Sequence, residues 1–342
     1  MNKPIIMNSK GDKQIILNAR EASLALHQEK ILNALGYEVD VTTLTTIMKK
    51  ITEQKFFEIA PADQLPVRVG EGAWSSNLVT YRTFSLADDF GTGVVNTGGN
   101  NARLASADAG VDSVPIVVRN WAKAIGWTIM DLQIASKSGN WDIVSSKERA
   151  RKKNWDLGIQ KVAFLGLDGD SNVLGLYTQS GVTNNTSLIT KPLSSMTDTE
   201  LTAFIAGVLP AYRSNCAFTA WPTHFIIPEY DFLGLGTPYS STYPNTSKLQ
   251  WLESNLKLMT KNPNFQILPN AYGNVANNGL GVNRYVLLNY DEESIRMDIP
   301  VDYTSTLANS NDSFNFQNVG YGQFTGVGLY RPFELMYFTD AP

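Results

Sequence analysis

"KVAFLGLDGDSNVLGLYTQSGVT", residues 161–183, opens a calcium-loop pattern at Asp168-Gly-Asp170-Ser-Asn172 and surrounds it with apolar text broken by glycines. A twelve-residue EF-hand loop starting at Asp168 needs Gly at its sixth position for the sharp turn and a bidentate Glu at its twelfth. Val173 and Gln179 stand there instead. The acidic run therefore reads as a turn, which Asp, Gly, Ser and Asn favour in any case. It joins a helix ending at Val162-Ala-Phe-Leu-Gly166 to a strand beginning near Leu174.

Upstream, the spacing predicts a helix over 141–165. Ser145 with Glu148 three residues on fits a capping box, and Trp155, Ile159, Val162 and Ala163 keep helical spacing. Between Ser145 and Lys161 six cations (Lys147, Arg149, Arg151, Lys152, Lys153, Lys161) face two carboxylates (Glu148, Asp156), a local net charge of +4. Such a run reads as a solvated helix face or, more sharply, as a surface for an anion such as nucleic acid. Before it, "VPIVVRNWAKAIGWTI" places Val117, Arg119, Trp121, Lys123, Ile125 and Trp127 on one face at period 2, one long strand.

Residues 61–110 read as a β-excursion with a strand at Leu78–Phe84, punctuated by Gly91-Thr-Gly and Asn96-Thr-Gly-Gly-Asn-Asn101 and poor in large apolar residues. Residues 1–55 hold helical patches near 19–35 and 44–54 with too little apolar surface for a core of their own.

Downstream the pattern is α+β. Thr197 and Glu200 make a second capping box ahead of Leu201, Phe204, Ile205, Val208 and Leu209, and Pro210 is expected to end or kink that helix. A strand at Thr223–Ile227 precedes a helix from Ser247 with Leu249, Leu252, Leu256 and Met259 on one face. Strands follow at Phe265–Leu268, Tyr285–Tyr290 and Ser294–Ile299, and "VGYGQFTGVGLYRPFELMYFT" reads as two more.

Composition excludes several function classes. The net charge of −4 argues against a surface that binds nucleic acid throughout. One cysteine, Cys216, excludes an intrachain disulfide and a cysteine-rich metal site. No secretory signal opens the sequence and no apolar run approaches the roughly 20 residues of a membrane span, so a soluble, intracellularly made chain is expected. His27 and His224 are the two histidines; His224 lies in an apolar strand, Cys216 reads as core, and neither carries a local catalytic signature. No phosphate-loop pattern is complete and the run Asp291-Glu-Glu293 reads as a solvated loop end. No catalytic residue, cofactor or metal is expected. The charged fraction of 18% falls below the roughly 25% of ordinary domains. Residues 303–330 carry one charge, Asp312, and none lies between Asp170 and Lys191, as expected of surface hidden in subunit contacts.

In the order of its parts the chain resembles the major capsid proteins of tailed bacteriophages, the Hong Kong-97-type shell fold shared with encapsulins. The residues that carry the resemblance are Val162-Ala-Phe-Leu-Gly166, then Leu174-Gly-Leu-Tyr-Thr-Gln-Ser-Gly-Val182, and "ASADAGVDSVPIVVRNWAKAIGWTIMDLQIAS" over 105–136. The resemblance implies an α+β subunit with an N-terminal arm (1–60), an extended loop (61–110), a peripheral domain with a long spine helix (111–194 and 301–342) and an axial domain (195–300). It implies a non-enzymatic shell protein forming hexamers and pentamers around double-stranded DNA. Lys147, Arg149, Arg151, Lys152 and Lys153 become the candidate DNA-facing patch, and Tyr81, Arg82, Phe84 and Phe90 candidate loop contacts to a neighbour.

Some relatives weld the shell through a lysine in the extended loop; no lysine lies between Lys55 and Lys123, so that chemistry is not expected here. The short arm implies a separate scaffolding protein or unaided assembly, beside portal and decoration proteins. The place implied is the virion, after assembly in the host cytoplasm and without a membrane. An encapsulin-type compartment shell is the alternative, and a carbohydrate-binding β-protein, suggested by 7 Trp and 14 Tyr, a more distant one.

Overall fold

The computed structural model describes residues 5–7, 13–15, 57–86, 108–137, 142–310 and 312–340. The chain forms two units, Met1–Lys55 and Phe56–Pro342. In the first, strands β1 (Ile5–Met7) and β2 (Lys13–Ile15) pair antiparallel. The helical patches expected at 19–35 and 44–54, the glycine-rich text at 91–101 and Phe90 lie outside the described residues.

The second unit begins with β3 (Val67–Val69), β4 (Asn77–Leu86), β5 (Asp108–Thr128), α1 (Ile129–Lys137), α2 (Ile143–Leu165) and β6 (Thr183–Asn185). It continues through α3 (Asp198–Asn215), β7 (His224–Pro228), α4 (Glu229–Gly234), β8 (Pro238–Ser240), β9 (Tyr243–Ser247), α5 (Lys248–Thr260), β10 (Gln266–Asn270) and α6 (Val275–Asn278). The strands β11 (Arg284–Leu288), β12 (Ile295–Ile299), β13 (Val301–Ser305), β14 (Asn309–Ser310), β15 (Asn315–Thr325), β16 (Val327–Leu329) and β17 (Leu335–Thr339) complete it.

Uninterrupted apolar runs such as His224–Pro228 and Leu335–Thr339 form strands buried on both faces. They belong to a five-stranded sheet, order β10-β7-β11-β17-β6, that separates two cores. Alternate side chains point to opposite faces of a strand. Phe225, Ile227, Tyr285, Leu287, Met336 and Phe338 enter the core shared with α3 and α5. Their sequence neighbours Ile226, Val286, Leu288, Leu335 and Tyr337 enter the core shared with α2.

The α3 capping box is present as expected: the Glu200 amide donates to Thr197 Oγ1 and the Thr197 amide to Glu200. Pro210, however, does not end this helix, which runs on to Asn215. The proline sits on the exposed side, and burial of Leu209 and Tyr212 holds the turns around it. The α2 cap also differs from expectation. Asp142, not Ser145, accepts the first amides (Val144 and Ser145), and the Ser145 hydroxyl itself donates to Asp142, because a carboxylate is the stronger acceptor. These bonds, that of the Ser145 hydroxyl first, hold the Asp142 carboxyl below its ordinary value. The final stretch forms three strands rather than two, and they part company: β15 joins a long sheet of order β13-β15-β5-β4, β16 pairs with β12, and β17 lies inside the five-stranded sheet.

The passage 161–183 is a crossing of three backbones. The amides of Leu176 and Tyr177 donate to the Ala163 and Phe164 carbonyls at 2.8 and 2.9 Å, and Thr178 Oγ1 donates to Leu165 O. The unpaired last carbonyls of α2 are thus capped by the chain that follows. The Val327 amide reaches Leu174 O from the third segment. A Cβ at Gly175 would fall on the backbone of Phe164, Leu165 and Gly166, and one at Gly326 on that of Leu174. Gly166, at φ 85°, also makes the left-handed turn out of the helix. The segment after the acidic turn is this irregular crossing and not the expected strand; the next strand is β6.

Candidate functional site

Two surfaces come from the long sheet. The 21-residue β5 pairs with β15 over Val118–Thr128 and with β4 over Asp108–Val117. The first half lies under α2. Cross-strand partners Trp121 and Gly322, and Lys123 and Gly320, form a floor without side chains on the β15 side. Trp155 and Arg151, one turn apart on α2, sit on those glycines, where any Cβ at Gly322 or Gly320 would collide with them. Trp155 packs against Trp121 (ring centroids 5.3 Å) and Phe324 (6.1 Å).

The second half leaves this cover. Asn77–Leu86 and Asp108–Val117 form a two-stranded ribbon about 33 Å long. Such a ribbon has no independent stability in water and leaves backbone edges unpaired. Val79, Tyr81 and Val111 stand out exposed, Tyr81 at 72%. Arg82 and Phe84 occupy β4 opposite Asp112 and Gly110. The ribbon is anchored at its base by a buried cluster that sequence reading missed. Arg296 donates to Asp298 (3.1 Å), to Tyr330 Oη (2.8 Å) and to Thr80 Oγ1 of β4 (3.2 Å), and Arg68 donates to the same Asp298 (2.9 Å). The signal available was a pair of opposite charges inside the apolar strand Ile295-Arg-Met-Asp-Ile299.

The basic run on α2 does not form one patch. Arg151 is buried: it donates to Tyr303 Oη (2.8 Å), to Asn318 Oδ1 (2.8 Å) and to the Asn318 carbonyl. This corrects its assignment to a DNA-facing surface. Helical geometry explains it, since Lys147, Arg151, Trp155 and Ile159 recur every fourth residue on the face turned to the sheet. Lys147 likewise donates to Gly126 O at 2.7 Å, and Lys153 pairs with Glu58. Arg149 and Lys152 face outward and exposed. Near Lys152 lies Asp156, whose carboxyl is raised by partial burial.

The remaining candidates are structural. Asp168 pairs with Lys161 (2.5 Å) and Asp170 with Arg119 (2.6 Å), so both carboxylates of the acidic turn already face cations. The Asn172 amide first and Arg119 second hold Asp170 below its ordinary value. His224 is buried, stacks on Tyr290 at 4.8 Å and is lowered by burial. Cys216 is buried against the Arg213 and Ala220 carbonyls. Among the described residues no group of three acidic, His or Cys side chains could hold a metal, and no helix is long and apolar enough to cross a membrane.

Comparison with known proteins agrees with this geometry. The family model described as Major capsid protein matches residues 93–340. The capsid of Myoviridae Phage XM1 has a similar fold, with a TM-score of 0.73 at 16% identity over 90% of this chain and 100% of that one. The Mycobacterium phage Bobi structure gives 0.57 at 12% identity over 89% and 98%, and Mycobacterium phage Ogopogo 0.55 at 9% over 89% and 100%. No curated protein matches the chain in sequence.

Proposed function

The chain belongs to the major capsid protein family, a phage shell protein, and from that premise we propose that its copies form hexamers and pentamers closing an icosahedral shell around double-stranded DNA. The β4–β5 ribbon carries this reading: ten paired positions, held by the subunit only near their base and bearing exposed Tyr81, Val79 and Val111, become stable along their length when a neighbouring copy covers them. Tyr81, Arg82, Phe84 and Phe90 are the proposed contacts.

In the proposed division, 1–60 is the arm, 61–110 the extended loop, 111–194 with 301–342 the peripheral domain, and 195–300 the axial domain. β6 and β17 cross over to lend strands to the axial sheet. Arg149 and Lys152 remain as the part of the basic run offered to packaged DNA, in non-specific, salt-sensitive contact. The subunit works by association alone, without catalysis, is assembled in the host cytoplasm, and meets portal and separate scaffolding or decoration proteins there.

The compartment-shell alternative is not favoured, because the matching family is that of the major capsid proteins. The carbohydrate-binding alternative needs aromatics gathered on an exposed face; Trp127, Trp155, Tyr177, Tyr212 and Tyr285 are buried, and the exposed Trp74, Tyr81, Tyr230 and Tyr243 belong to different elements. The test is to express the chain and size its products by sedimentation and electron microscopy. Capsomers or shells are expected. A compact monomer at high concentration, even with a scaffold supplied, overturns the proposal.

A further inference from the structure

Where α3 ends, the chain encloses a cavity of about 580 Å³ against the turn between β16 and β17. That volume lies within the roughly 300–1,000 Å³ of ligand pockets. Asn215, Cys216, Ala217 and Thr219 form one wall and the 330–334 turn the other. The walls are tied to each other. Asn215 Nδ2 donates to the Phe333 carbonyl at 2.8 Å, and Tyr212 Oη to the Glu334 carbonyl at 2.7 Å.

The interior favours an apolar group. Asn215 Oδ1 accepts from Thr183 Oγ1, Thr219 Oγ1 donates to the Cys216 carbonyl, and Glu334 accepts from Asn289 and pairs with Arg331. A sugar, which is held by hydrogen bonds, finds these polar side chains already engaged, whereas Ala217, Pro332 and Phe333 offer apolar contact. The first wall is also strained: Ala217 and Phe218 take left-handed backbone, at φ 47° and 63°, and strain of this kind gathers at ligand clamps. The same turn exposes Phe218 (68%) and Trp221 (45%), and on the opposite wall Phe333 is 64% exposed. Large apolar side chains grouped in the open mark an interaction site.

Charge selects the occupant. Arg331 donates to Asp291 (3.3 Å) and Glu293 (2.5 Å) and pairs with Glu334 (3.6 Å). Arg213, on the last turn of α3, donates to the Ala220 carbonyl and lies over the Phe218 and Trp221 rings at 5.4 and 4.3 Å. Four carboxylates (Asp291, Glu292, Glu293, Glu334) against these two arginines leave a net of −2. The end of α3 adds the negative pole of an 18-residue helix, which favours a cation. Nucleic acid is repelled here, and a second copy of a chain whose own charge is −4 brings no net positive charge. A basic partner complements the rim.

We propose that this cavity binds a different protein, through a large apolar side chain flanked by lysine or arginine; the site is complete in one subunit and does not depend on the shell function proposed above.

The test titrates free subunits into fluorescein-labelled Gly-Lys-Trp-Lys-Gly, Gly-Glu-Trp-Glu-Gly and Gly-Lys-Ser-Lys-Gly and follows fluorescence anisotropy. The first peptide is expected to bind at least ten-fold more tightly than either of the others. Equal affinities, or no binding of the first, overturn the proposal. Two variants at exposed positions locate the binding: Phe333→Ser is expected to weaken it at least ten-fold and Glu293→Lys at least three-fold, each with the circular dichroism and melting temperature of the wild type. Binding unchanged by Phe333→Ser overturns the proposal, and if that variant instead loses capsomers, the cavity belongs to a second copy. Because binding is read in free subunits, its failure leaves the shell function standing, and a failure to form shells leaves this site standing.

Discussion

The two halves of β5 are one continuous strand with opposite fates. Over Val118–Thr128 the strand has β15 beside it and α2 above it, so Trp121 and Trp127 find neighbours within the subunit. Over Asp108–Val117 its strand partner is β4; Ile116 at the base is buried beside Gly328, but further out Val111 stands 66% exposed. Strand formation is therefore local, whereas the burial that stabilises it is not. In the first half the subunit provides the cover, and in the outer part of the second the proposed cover is a neighbouring copy.

Breaking the supported half should cost most. Trp155→Ala removes the side chain that closes α2 onto the glycine floor and is expected to lower subunit stability by about 3–5 kcal/mol in denaturant unfolding. Gly322→Val attacks the same contact from the sheet side by driving a side chain into the Trp155 ring, with an expected loss of about 1–3 kcal/mol. If either variant melts like the wild type, the floor is not what holds α2.

A device remote from both halves provides a smaller yardstick. Thr197→Ala removes the α3 cap and should cost about 1 kcal/mol. In the intact box, the hydrogen bond from Lys191 first and those from Thr197 next hold the Glu200 carboxyl down to about 2. A folded-state value below the unfolded one stabilises the subunit above the unfolded value and loses that contribution as the pH falls toward about 2. The variant should therefore show a flatter stability profile between about pH 4.5 and 2, measured by acid-dependent melting.

The smallest effect on the subunit is expected in the unsupported half. Tyr81→Ser should change unfolding stability by less than about 0.5 kcal/mol. Its effect should appear in assembly, as a higher concentration needed for shells. A large loss of subunit stability from this exposed position would show that the ribbon is held from within.

What could be read in the sequence depended on whether both partners of an interaction lay close together along the chain. Thr197 and Glu200 are three residues apart, so their box was legible; the period-2 text of β5 and the helical spacing of α3 and α5 were legible for the same reason. Ser145 misled because a stronger acceptor, Asp142, lay just upstream. Arg151 misled because charge suggested a surface, while its partners Asn318 and Tyr303 lie more than 150 residues away. One local signal pointed the right way: Arg151 stands four residues before Trp155, on the face that packs. The glycines of Val319-Gly-Tyr-Gly322 read as bends, although their role is to leave room for a helix that no local pattern ties to them.

The place of β17 bears on synthesis. It lies between β11 and β6, so the five-stranded sheet keeps an open slot until residues 335–339 have left the ribosome. A chain interrupted before that point has no strand to join β6 to the rest, and Leu335, Met336, Tyr337 and Phe338 are missing from both cores. The last strand to be made is thus one of the inner strands of the sheet, and the subunit's two cores close only when its final residues arrive.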